Sequence, residues 1–120
     1  MFVENAPVLP TGDMGESIGF WRGFGLMLMF SDADEPSMST HATLSSGGFS
    51  IHLEQRDADK PATGHAVRVL VSDRDALLSL YDKVLPPGKI TGQIAERSWT
   101  RLGFSFASPE GAEIHCYIDK

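Results

Sequence analysis

Apolar and polar residues alternate along Gly48-Phe-Ser-Ile-His-Leu53 and again along Gly111-Ala-Glu-Ile-His-Cys116, the period expected of strands with one face in a core. Alternating valines in Ala66-Val-Arg-Val-Leu-Val71 predict a third such strand, and Ala6-Pro-Val-Leu-Pro10 a shorter one. Two other segments carry apolar side chains at helical spacing: Asp13 to Trp21 and Asp73 to Tyr81. Asp13 with Glu16 resembles a capping box, and Asp73 suits the N-cap of the second helix. Four further strands are expected over Leu26–Ser31, Thr40–Leu44, Ile90–Ala95 and Arg101–Ala107.

These elements repeat. Asp13 and Asp73 stand 60 residues apart, and within that offset Ile18 matches Leu78, Phe20 matches Leu80 and Trp21 matches Tyr81. The unit Gly-x-x-Ile-His-x recurs at an offset of 63, so a three-residue insertion separates the matched blocks. Each half reads β-α-β-β-β, which makes the chain a duplicated α+β module. Ser31–Ser37 is a polar loop, Pro86-Pro-Gly88 ends the second helix, and Gln55–Gly64 joins the halves. No flexible linker separates them, so one domain over residues 1–120 is expected, with module one at about 1–60 and module two at about 61–120.

Composition narrows what such a domain does. At 120 residues with 42% hydrophobic residues the chain can bury roughly two-thirds of its unfolded surface. Its net charge is -6 and no Lys/Arg cluster interrupts the acidity, so neither nucleic acid nor an anionic membrane is an expected partner. Phe24–Phe30 is too short an apolar run to span a bilayer, and the start of the chain lacks a basic secretory signature. A cytoplasmic protein is expected. The single cysteine, Cys116, calls for no oxidising compartment.

Pro7-Val-Leu-Pro with Asp13 and Phe20-Trp21, then Val69–Leu77, and above all Trp99-Thr-Arg-Leu-Gly-Phe-Ser-Phe-Ala-Ser-Pro-Glu-Gly-Ala-Glu-Ile-His115 resemble the glyoxalase/bleomycin-resistance superfamily, also called vicinal oxygen chelate proteins. The resemblance covers nearly the whole chain and implies paired βαβββ modules whose curved mixed sheets surround a cavity, with helices on the outer face, usually in a homodimer. Family enzymes commonly hold a divalent metal on the first and last strands of each module. Here those positions fall on Ala6 and Ala66, which have no donor atom, and on His52 and His115. Two imidazoles are too few for a firm divalent centre. His65 lies one residue from such a position, where a strand turns its side chain to the other face unless a bulge intervenes. No cofactor is therefore expected, and the resemblance points to the metal-free, bleomycin-resistance-like branch.

Alternation then assigns faces. With His52 and His115 toward the cavity, Ser50, Glu54, Glu113 and Tyr117 follow them, while Phe49, Ile51, Leu53, Ile114, Cys116 and Ile118 lie under the helices. Ala66, Arg68 and Leu70 join the cavity side, as do Arg101, Gly103 and Ser105. Two arginines, two histidines and a tyrosine on one concave surface suit a small ligand with an anionic group, its aromatic part touching Trp99 and Met27 or Met29. The candidate ligand-binding set is thus His52, His115, Arg68, Arg101, Tyr117 and Trp99.

Each residue has a plainer reading. Arg68 and Arg101 can pair with Glu54 and Glu113, Trp99 can serve an interface or core, Met27 and Met29 can fill core gaps, and His41 can be a surface residue. The favoured function is sequestration of a small, antibiotic-like compound by a homodimer. Bleomycin is cationic and the inferred pocket is not acidic, which argues against that drug. The rival is a metal-dependent lyase, isomerase or dioxygenase using His52 and His115.

Overall fold

The structure, a computed structural model, describes residues 1–56, 64–84, 89–97 and 100–119, with residues 97, 100 and 101 described by backbone alone. Trp99, Pro86–Gly88 and most of the predicted connection between halves lie outside the described residues. The chain divides into two compact units, Met1–Ala62 and Thr63–Lys120. Each carries the α+β order read from the sequence: one strand, one helix and three strands.

In the first unit β1 (Val8–Thr11) leads to α1 (Met14–Phe24), then β2 (Met27–Ser31), β3 (His41–Ser46) and β4 (Phe49–Gln55). The strands form one mixed sheet in the order β1-β4-β3-β2, with β1 parallel to β4 and the remaining pairs antiparallel. β1 begins two residues later than the sequence pattern suggests. Pro7 and Pro10 lack the N–H that a ladder uses, which confines this segment to a short strand at the sheet edge. The predicted loop before β3 holds a 3-10 turn, Pro36–Met38.

Helix α1 starts where predicted. Asp13 accepts a hydrogen bond from the Glu16 amide at 3.0 Å, but the return bond of a capping box is not made by Glu16: the Asp13 amide donates to Thr11 Oγ1 at 3.2 Å. Met14, Ser17, Ile18, Trp21 and Phe24 are buried, a stripe at helical spacing that faces β2, β3 and β4. Trp21, fully buried, meets Phe49 of β4 edge-on, with ring centroids 5.8 Å apart. From the sheet, Ala42, Leu44, Ile51 and Leu53 complete this core with no exposed surface. The β3–β4 hairpin turns through Gly47 and Gly48, with Gly47 at φ 57°, a sign that tight hairpin turns require and that side-chain-bearing residues resist.

The second unit repeats the plan with β5 (Ala66–Leu70), α2 (Arg74–Val84), β6 (Lys89–Arg97), β7 (Thr100–Ala107) and β8 (Glu113–Ile118), in the sheet order β5-β8-β7-β6. The Asp73 carboxylate accepts from the Ala76 amide at 2.8 Å, capping α2 as expected. Its core is built from Leu77, Val84, Phe104, Phe106, Ile114 and Cys116. Tyr81 of α2 lies edge-on to Phe104, with centroids 5.1 Å apart.

Truncating Trp21 to Ala removes the largest buried side chain of the first core and is expected to cost about 3–5 kcal/mol. Asp13→Ala, which removes only a cap bond, is expected to cost about 1 kcal/mol. Urea denaturation of the two variants checks both values, and near-equal losses would contradict this account of the first core.

Candidate functional site

The face of the second sheet that does not meet α2 is organised as cross-strand rungs. One rung is Arg68–His115–Ser105–Gly92, running from β5 through β8 and β7 to β6 by direct Cα pairing. Ala66–Glu113–Ala107–Lys89 lies on one side of it and Leu70–Tyr117–Gly103–Ala95 on the other. Small residues thus flank the histidine on its β7 and β6 side, and the sheet carries a concavity of about 410 Å³ lined by Ala66, Val67, Arg68, Thr91, Gly92, Ser105, Glu113 and His115.

His115 is held from three sides. Its Nδ1 shares a 2.7 Å hydrogen bond with Ser105 Oγ, its ring stacks on Tyr117 at 6.0 Å between centroids, and it leans over Gly103. A Cβ at position 103 would stand 2.9 Å from His115 Nε2, so the ring would have to shift, and 3.0 Å from the Cys116 carbonyl oxygen, a tight contact. Gly103 is therefore the floor that lets the imidazole lie flat. Arg68, the Cα partner of His115, is exposed on the same face. The other side of β8 is sealed: Cys116 is fully buried, and desolvation pushes its thiol up to about 12.

The first sheet has the equivalent face, with different chemistry. His52 is the Cα partner of Val8 on β1 and of Thr43 on β3. Its Nε2 meets Glu4 Oε1 at 2.8 Å, and its ring lies edge-on to His41 with centroids 5.5 Å apart. His41 also approaches Phe30, at 6.5 Å. A bulge in β2 pairs Leu28 with Leu44 but Phe30 with Thr43, which brings Phe30 to the His52 side. Asp32 anchors the start of β3: its carboxylate accepts from the Thr40 hydroxyl, the Thr40 amide and the His41 amide. The Thr40 hydrogen bonds hold that carboxyl below the usual carboxylate range.

Of the predicted site residues, His115, Arg68 and Tyr117 come together in the second unit and His52 lies in the first. Arg101 falls in β7, its side chain outside the description, and Trp99 is outside the described residues. Glu54, offered above as an arginine partner, pairs with Arg56 at 3.2 Å. Met27 and Met29 are not core fillers: they are 68% and 63% exposed, because β2 is an edge strand and bulged. His41, given a plain surface role above, is half-buried against His52. Alternation with Ala42 and Leu44 carried that signal, and glycine inside a strand pattern likewise marked Gly103.

The family's sequence profile, described as Glyoxalase/Bleomycin resistance protein/Dioxygenase superfamily, matches residues 5–116. The chain belongs to that superfamily. Solved structures of similar fold include three proteins. The bleomycin-binding protein from bleomycin-producing Streptomyces verticillus, complexed with copper(II)-bleomycin, is 18% identical, with TM-score 0.73 and coverage of 100% of this chain and 98% of that one. The bleomycin resistance determinant encoded on the transposon Tn5 is 16% identical, with TM-score 0.78 and 99% coverage of both chains. TioX from Micromonospora sp. ML1 is 16% identical, with TM-score 0.76 and coverage of 98% of this chain and 100% of that one. No curated protein matches the sequence.

A divalent metal, which this superfamily implies, does not fit the donors present. Ala66 and Ala6 offer none, which leaves one imidazole in each unit, His52 and His115, at the expected positions. Among the described residues no three of His, Cys, Asp and Glu are gathered as a metal ion requires. No helix among them is long and apolar enough to cross a membrane.

Gly103→Ala is expected to tilt the His115 ring out of its place and break the Ser105 bond, read as a changed His115 Cε1–H resonance in a folded protein. An unchanged resonance would refute the role given to Gly103. Cys116 is expected to stay unmodified by Ellman's reagent at pH 8 in the native protein and to react fully in urea, since its thiol deprotonates only near 12. Reaction in the native state would contradict its burial.

Proposed function

We propose that the chain is a cytoplasmic, homodimeric small-molecule-binding protein whose second module holds an anionic, partly aromatic, antibiotic-like guest without a metal ion and without chemical change. One observation carries the reading: the Arg68–His115–Ser105–Gly92 rung. It sets a guanidinium and an imidazole beside a hydroxyl at one end and leaves room over a glycine at the other. The concavity it belongs to, about 410 Å³, is of the size that small-molecule sites occupy.

Arginine's planar fork matches a carboxylate or phosphonate, and exposed Arg68 presents it on the lining of the concavity. The concavity sets Arg68 and His115 against one carboxylate, Glu113, in a chain of net charge -6, a local balance that favours an anionic guest. Tyr117, stacked on His115, supports an aromatic part of the guest beside its anionic group. The solved proteins that bind bleomycin support small-molecule binding as the family's use of this fold, while Arg68 disfavours a cationic guest.

Benzoate and phenylphosphonate serve as probes in a thermal-shift titration. Saturable stabilisation is expected, with affinity lowered about 10- to 100-fold in Arg68→Ala, the cost of one charged hydrogen-bonded contact. Equal affinity in the variant removes the charge argument. Elemental analysis of protein purified without chelator is expected to find no stoichiometric metal. One ion per chain, lost in His52→Ala or His115→Ala, would replace this reading with the metal-dependent lyase, isomerase or dioxygenase. Sedimentation velocity is expected to give twice the chain mass.

A further inference from the structure

Beyond the concave faces, the duplication offers an internal control at the C-terminal ends of the first and last strands. In the first module that place is filled: the Gln55 amide donates to the Gly12 carbonyl at 3.2 Å, and Met14 at the start of α1 is buried. The 3-10 turn Pro36–Met38 covers the same helix start, so closely that a Cβ on Gly15 would stand 3.2 Å from that of Ser37. The second module differs at each point. Ile118 takes the place of Gln55 and exposed Arg74 that of Met14, and two residues separate β6 from β7 where nine separate β2 from β3.

A hollow of about 550 Å³ opens there, within the size range of small-molecule sites. Leu70, Val71 and Ile118 give it an apolar wall, and Ser72, Asp73, Arg74 and Asp119 supply its polar groups. It shares no lining residue with the concavity around His115. The helix start does not itself recruit a ligand, since Asp73 already accepts from the Ala76 amide at 2.8 Å. The charges left over are Arg74 and Asp119, both exposed and neither in an ion pair among the described residues.

We propose that this hollow binds a zwitterionic amino acid with an apolar side chain, whose carboxylate meets Arg74, whose ammonium meets Asp119 and whose side chain lies on Leu70 and Ile118. A simple anion would face the Asp73 and Asp119 carboxylates against one guanidinium, and a simple cation would face Arg74. A ligand bearing both charges satisfies the two at once. The guanidinium takes a carboxylate two-pronged, and Leu70, 56% exposed, gains cover from the ligand's side chain. Because Arg74 and Asp119 are exposed, each charge contact is worth only about threefold to fivefold in affinity.

Leucine, leucinamide and N-acetylleucine are titrated into the whole chain while its backbone amide resonances are followed. Leucine is expected to shift the Ser72, Arg74 and Asp119 amides saturably, at a midpoint about threefold to fivefold below those of leucinamide and N-acetylleucine, each of which lacks one charge. Arg74→Gln is expected to erase the difference between leucine and leucinamide, and Asp119→Asn that between leucine and N-acetylleucine. Both side chains are exposed, so neither substitution disturbs the fold, which the unchanged remainder of the spectrum verifies. Equal midpoints for the three ligands, a preference for leucine that survives both substitutions, no saturable shift of these amides, or a leucine response seated at His115 instead overturns the proposal. The reading of the Arg68–His115 rung stands or falls with benzoate and phenylphosphonate alone, so the two can fail separately.

Discussion

Each module is closed by a parallel pairing between its first and last strands, and its chemistry depends on that closure. The His52 amide donates to the Pro7 carbonyl and the Glu113 amide to the His65 carbonyl, both at 2.9 Å. Segments more than forty residues apart are thereby brought side by side, at an entropic cost that local contacts cannot offset. The helix between them supplies the return: α1 and α2 cover one face of their sheets with buried aromatic and aliphatic side chains. Once that face is committed to the core, alternation leaves the other face for everything else.

That logic explains what the sequence made legible. The Ile-His units declared their own orientation, since Ile51, Leu53, Ile114 and Cys116 are fully buried while the histidines lie on the opposite side. Helix starts were legible because Asp13 and Asp73 are short-range signals. What escaped depends on geometry that a linear pattern does not encode. The parallel register of first and last strands, which no single segment encodes, sets Val8 beside His52 and Arg68 beside His115. The β2 bulge turned Phe30 to the histidine side, and Glu4 reaches His52 from 48 positions away.

Duplication gave two similar scaffolds that have diverged in what they present. Module two places a guanidinium, an imidazole and a hydroxyl in one rung that ends on a glycine. Module one replaces the guanidinium with an aliphatic side chain and gathers a second imidazole and exposed apolar groups around its histidine. Gly103 illustrates how little separates an open face from a filled one: a single methyl group there would collide with the ring that Ser105 and Tyr117 hold.

The exposed edge strand β2 also decides where oxidative damage would fall. Its thioethers at Met27 and Met29, together with Met38, stand in solvent, whereas the lone thiol is sealed in the second core. Peroxide would convert these methionines to polar sulfoxides before it reached sulfur in any core, roughening the apolar border of the first module while leaving both folds standing.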